Sequence, residues 1–206
     1  MMNRNYIKFY IFLRSLTVIF SLLFFESCTS QSNAVTSSRS EAKSLPTLMQ
    51  TECPIPLEMG KIYGNHGKKE DIDQVLKKLK LLIDDICTGN LNHLPELVFG
   101  ELGLFIDAKG HWTKEEVLKD LKNPEGYFQT YFFNQSLLDK KKGNQGNLTI
   151  QMALRSSNGL VIDYFFDSSK ETEVQIKFKE NPINMRYLIN PVFAKIEGEW
   201  MLLRML

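Results

Sequence analysis

The chain has 206 residues, with 25 basic against 24 acidic side chains and a formal net charge of +1. That balance gives no electrostatic footprint for nucleic acid and no charge by which the chain as a whole would cling to a membrane surface. Three cysteines and three histidines, scattered without ligand spacing, point away from a metal centre, and no cofactor motif is present.

Taken in chain order, residues 1–14 carry Arg4, Lys8 and Arg14 ahead of an apolar run from Ser15 to Phe25, which leads into Glu26-Ser27-Cys28. A basic flank, a short apolar core and a small residue at the cut point are the parts of an export signal. The cysteine directly after Ser27 resembles the lipobox of bacterial lipoproteins. With Phe25 and Glu26 before the small residue, it is closest to the relaxed form in spirochaete lipoproteins. The resemblance implies loss of residues 1–27, a diacylglycerol on the Cys28 thiol, and a membrane as partner through that lipid. An ordinary cleaved signal and an uncleaved anchor stay open, although the apolar core is shorter than the ~20 residues of a comfortable span. Thr29 stands where enterobacterial lipoproteins of the inner membrane carry Asp, which points to the outer membrane, facing the periplasm or the surface.

Residues 28–52 are rich in Ser, Thr and Asn and bury too little to offset their ordering entropy, so they read as a flexible tether. Residues 53–206 then form a single domain. Cys53 lies in the extended Glu52-Cys53-Pro54-Ile55-Pro56, and Cys87 near the end of an expected helix. Outside the cytoplasm the two can bridge, and the alternative is a buried thiol at Cys87 with an exposed one at Cys53.

Apolar side chains at Ile72, Val75, Leu76, Leu79, Leu82, Ile83 and Ile86 fall at steps of three and four, predicting a helix over 70–88 stopped by Gly89. Residues 91–99 suggest a further turn or two, and 102–107 a short strand. Thr113 with Glu116 is a capping box, predicting a helix over 114–122 that ends at Asn123-Pro124. The aromatic stretch 127–133 fits helix or strand. Lys140-Lys141-Lys142 reads as a solvated Gly/Asn loop. From Asn147 the period becomes two, so 148–154 is expected as a strand turning at Asn158-Gly159 into a second over 160–166. Further strands are expected around 174–178, over 187–196 and over 200–205, with a turn at Glu197-Gly198. Pro191 suggests an edge strand or a bulge.

The order is helices first, then strands, which makes the fold class α+β: N-terminal helices packed on a curved antiparallel β-sheet meander. That architecture resembles the nuclear transport factor 2-like, or cystatin-like, superfamily over roughly 68–206. The ending Gly198-Glu199-Trp200-Met201-Leu202 is similar to its Gly-x-Trp-x-Leu last hairpin. The resemblance implies a cone-shaped sheet whose concavity can hold a ligand, and it transfers no catalytic residue.

Candidate chemistry is sparse. His111, four residues after Asp107, has the spacing of an oriented base, and a cone pocket would set Asp107 or Asp163 beside it. The plainer reading is an exposed loop histidine. His66 and His93 have no evident partner. Asp163 shares a strand face with Val161 and Phe165, opposite Ile162 and Tyr164, and reads as solvent-facing, as does Asp167. The aromatics of 127–133 and 164–166 read as core, or as the lining of an apolar pocket. Two functions follow. One is a lipid-anchored, non-catalytic domain binding a small apolar ligand or an envelope protein. The other is an envelope enzyme with an acid–base pair.

Overall fold

The computed structural model describes residues 51–106, 110–179, 188 and 190–205. The lipobox, Cys28, the tether up to residue 50, and Asp107 lie outside them. Mixed α and β structure is what the described residues show. Five α-helices run in chain order: α1 (Lys69–Thr88), α2 (Leu94–Leu97), α3 (Lys114–Leu121), α4 (Gln135–Lys142) and α5 (Ile150–Arg155). A π-helical turn (Gln129–Phe133) precedes α4. The strands are β1 (Leu57–Tyr63), β2 (Leu104–Phe105), β3 (His111–Trp112), β4 (Leu160–Ser168), β5 (Glu171–Phe178), β6 (Val192–Ile196) and β7 (Glu199–Arg204).

Helix α1 buries the stripe that its spacing predicts, from Ile72 to Ile86, except that Leu76 at its margin is only partly buried. It stops at Gly89, whose φ of 88° suits a residue without a side chain. Cys53 and Cys87 form a disulfide with Cα atoms 5.9 Å apart. The bridge pins the entering chain to the end of α1 just before β1 begins. Thr51 is already held, donating its N–H to the Arg155 carbonyl at 2.7 Å and its hydroxyl to that of Ser157 at 2.8 Å. Thr113 and Glu116 close the capping box on α3.

The strands form one open sheet in the order β1-β4-β5-β6-β7-β2-β3. An antiparallel meander, β4 to β7, forms its centre as expected. The sheet as a whole is mixed, because β1 joins β4 and β2 joins β7 in parallel. Strand β1 precedes the helices and its partner follows them, so the connection between the two can only be a long crossover.

Three expectations fail in instructive ways. Residues 148–154 contain the start of helix α5 and no strand, because Ile150, Ala153 and Leu154 also carry a 3–4 spacing and Thr149 caps the helix, its hydroxyl accepting from Met152 N–H at 3.2 Å. Consequently Asn158-Gly159 joins a helix to a strand and is no hairpin, and Gly159 takes no positive φ. The hairpin with paired positive φ is Glu197-Gly198, at 52° and 91°. Lys140 to Lys142 form the last turn of α4, before Gly143, where cations oppose the negative end of the helix dipole. Strand β6 begins at Val192. It is an inner strand, so the edge alternative for Pro191 fails; Pro191 stands just before the strand, whose register with β7 shifts between Val192 and Phe193.

Candidate functional site

Asp163 is the sequence candidate whose environment differs most from expectation. Its face assignment holds, since Ile162 and Tyr164 point into the core while Phe165 is exposed. The carboxylate itself is 1 % exposed, where a solvent-facing group was expected. The cause is β1. Its register slips between Met59 and Ile62, leaving Gly60-Lys61 bulged over Asp163. Lys61 N–H donates to Asp163 Oδ1 at 2.8 Å, and Lys177 Nζ pairs with Oδ2. Burial alone would raise the Asp163 pKa, but these two donors and the lysine charge outweigh it and hold the carboxyl below its ordinary range. The same contact raises the Lys177 pKa. A side chain at position 60 would have no room, because an added Cβ would fall 2.8 Å from Val161 Cγ1 and still closer to Asp163 Oδ1. Asp163 therefore fills a bulge.

His111 lies exposed on edge strand β3, with its Nε2 against the Leu102 carbonyl and its ring edge-on to Phe105. Asp163 sits five strand positions away, roughly 24 Å along the sheet at the usual ~4.8 Å strand spacing. The structure does not bring these two together. His66 and Asp167 are exposed. His93 has a partner that the sequence does not reveal: its Nδ1 lies 2.8 Å from Asp85 Oδ1, and its N–H donates to Oδ2 at 2.6 Å. That hydrogen bond raises the His93 pKa. Among the described residues no three His, Cys, Asp or Glu side chains could jointly hold a metal ion, and no helix is long and apolar enough to cross a membrane.

The helix-facing side of the sheet is packed with side chains. Tyr164, Phe166, Trp200 and Leu202 join the α1 stripe, Phe128 and Phe132 in one buried cluster. Trp200 Nε1 donates to Asp71 Oδ1 at 2.9 Å, and Lys195 Nζ reaches the same oxygen at 2.6 Å. Burial opposes ionisation of Asp71, yet these donors keep its pKa below normal. The Tyr164 hydroxyl is buried without a hydrogen-bond partner among the described residues, and burial pushes its pKa far up.

Open space lies instead beside the aromatic segment. Asp120 accepts from Tyr127 N–H at 2.9 Å and from Phe128 N–H at 3.0 Å, capping the helical stretch that follows. Gly126 permits this approach, since a Cβ there would fall 2.7 Å from Asp120 Oδ1. Asn134 N–H then bonds the Gln129 carbonyl at 2.8 Å, closing the wide turn. Phe128 and Phe132 point inward, while Tyr127 and Tyr131 pair half-buried with ring centroids 4.6 Å apart. With Glu125, Thr130, Lys140 and Lys141 the two tyrosines line an open cleft of about 520 Å³.

Comparison with protein-family models, with curated proteins and with solved structures finds no match to this chain.

Proposed function

We propose that this chain is a lipid-anchored protein on the exported side of a bacterial membrane, carrying a non-catalytic binding domain of cystatin-like cone architecture. The observation that carries the binding reading is the employment of the buried acidic groups. Asp163 holds the β1 bulge, Asp71 ties Trp200 and Lys195 to α1, and Asp85 fixes His93. Each is engaged in positioning backbone or side chain.

Supporting the cone reading, Trp200 of the Gly-x-Trp hairpin is fully buried against the helix layer. The packed interior of the sheet directs ligand binding to the outer surfaces. The Cys53–Cys87 bridge supports export, because such bonds persist outside the reducing cytoplasm. The lipobox resemblance supports anchoring through Cys28, and Thr29 supports the outer membrane.

The test is mass spectrometry of the mature N-terminus together with detergent-phase partitioning of the wild type and Cys28→Ser. We expect a diacylglyceryl-modified residue 28 and a variant that moves to the aqueous phase. An intact Met1, or an unmodified thiol at position 28, would overturn the anchor. Cross-linking on whole envelopes followed by purification of the chain tests for a partner.

A further inference from the structure

We infer that the cleft between the π-helical turn and α4 is a binding site for an acidic sugar, free or at the end of a polymer. The inference deepens the binding reading above and rests on it. Two features of different kind converge there. The first is shape: the Tyr127–Tyr131 pair forms an aromatic wall, half-buried and held in place by the Asp120 clasp below it. The apolar C–H face of a pyranose packs on such a wall, while the polar groups at its rim take up the hydroxyls. Glu125 stands exposed at that rim, while Thr130 lines the cleft from a buried position, its hydroxyl turned to the Glu125 carbonyl at 3.5 Å.

The second feature is charge. Lys140 and Lys141 line the same cleft, and the exposed Lys142 side chain lies over the Tyr131 ring, 5.6 Å from its centre, so that a bound pyranose takes the place of its ammonium on that face. None of the three forms an ion pair among the described residues. Three carboxylates are close in sequence or space. Asp120 is engaged below the cleft by the Tyr127 and Phe128 N–H groups. Asp139, on α4, is turned away and bonded to Asn147 and to the Gly146 N–H. Glu125 remains in the cleft, so lysines outnumber acids there. A ligand that suits both features pairs a ring with an anionic group. The cleft is open on one side. A flat base gains most from a slot that covers both of its faces, whereas a sugar keeps its second face hydrated at little cost.

The test is calorimetric titration of the full chain in detergent with a sulfated hexuronate tetrasaccharide, against maltotetraose, inorganic sulfate and free glucuronate. We expect the tetrasaccharide to bind, and both the neutral sugar and sulfate alone to bind at least about tenfold more weakly, a difference of about 1.4 kcal/mol. Glucuronate distinguishes a free acidic sugar from a polymer end. Lys140→Gln/Lys141→Gln, on exposed side chains, should weaken the tetrasaccharide about tenfold with an unchanged circular dichroism spectrum. Tyr131→Leu, which keeps every lysine, should weaken it several-fold. Absence of tetrasaccharide binding, equal binding of maltotetraose or sulfate, or indifference to either variant overturns the site. If the chain is still lipidated and still cross-links to an envelope partner in that case, the sugar site alone has failed and the binding reading stands.

Discussion

Replacing Gly60 with Ala tests whether the buried Asp163 carboxylate occupies the β1 bulge. An added Cβ would displace Val161 Cγ1, 2.8 Å away, and, more severely, Asp163 Oδ1. The carboxylate must then leave the Lys61 N–H, and a hydrogen bond to a charged acceptor is worth about 1.5–3 kcal/mol. Leaving that carboxylate buried with Lys177 alone adds about 1 kcal/mol of uncompensated desolvation. Gly60→Ala should therefore cost about 2.5–4 kcal/mol, which for a domain of this size lowers Tm by roughly 5–16 °C.

The decisive comparison is a double-mutant cycle. Asp163→Ala removes the obstructing oxygen and costs about 1–3 kcal/mol by orphaning the Lys61 N–H, while Lys177, partly exposed, returns to water. In that background the new Cβ meets chiefly Val161 Cγ1, which can rotate, so Gly60→Ala should cost only about 1 kcal/mol. The coupling energy is then about 1.5–3 kcal/mol. Urea unfolding followed by tryptophan fluorescence measures all four corners. Equal costs of Gly60→Ala in both backgrounds would refute the reasoning, because they would mean that the carboxylate does not fill the space above residue 60.

Three further outcomes follow from the same geometry. Changing Cys53 and Cys87 together to Ala opens a loop with a sequence separation of 34 and should cost about 3–4 kcal/mol on the chain-entropy model, read from the shift in urea midpoint. Because Asp85 raises the His93 pKa, the pair's contribution to stability is fully present below the unfolded value near 6.5 and fades as pH rises through the folded one. NMR titration should place His93 above an exposed histidine, and Asp85→Asn should abolish the difference. Trp200→Phe removes a donor from the buried Asp71 and should cost at least about 2 kcal/mol at neutral pH. The folded pKa of Asp71 is lowered, so its contribution is present above about 3.9 and lost as pH falls through the folded value. The difference between wild type and Trp200→Phe should therefore narrow in acid.

The parts of this fold that can be read from sequence alone are those where one period dominates. Helix α1 repeats its stripe over about four turns, and β5 alternates cleanly along its length, so neither has a credible alternative. Leu148 to Leu154 supports both periods at once. The competition is decided by the Thr149 cap and by the buried trio Ile150, Ala153 and Leu154. Strand β1 escapes a sequence reading for the opposite reason. Its alternation is broken at Gly60-Lys61, where the bulge puts two residues in succession against Asp163. The interruption that hides the strand also creates the niche for the carboxylate.

The candidate sites divide along the same line. Local chemistry is legible: the capping box on α3, the Gly89 stop and the Glu197-Gly198 turn each depend on neighbours within four residues. Burial of a polar group depends on what covers it. For Asp163 that cover is Lys61, 102 residues earlier, and for Asp71 it is Trp200, 129 residues later. Period-two parity can say which face Asp163 occupies, but it cannot say that a second strand will be laid across that face. For the cleft, the tyrosines at 127 and 131 and the lysines at 140 to 142 were visible as residue types. Their convergence depends on the wide turn ending at Asn134, which redirects the chain so that α4 returns beside the tyrosines. That redirection is why a run expected as a solvated loop becomes one wall of a cleft, and why substitutions at Lys140 and Lys141 can test binding without disturbing the core.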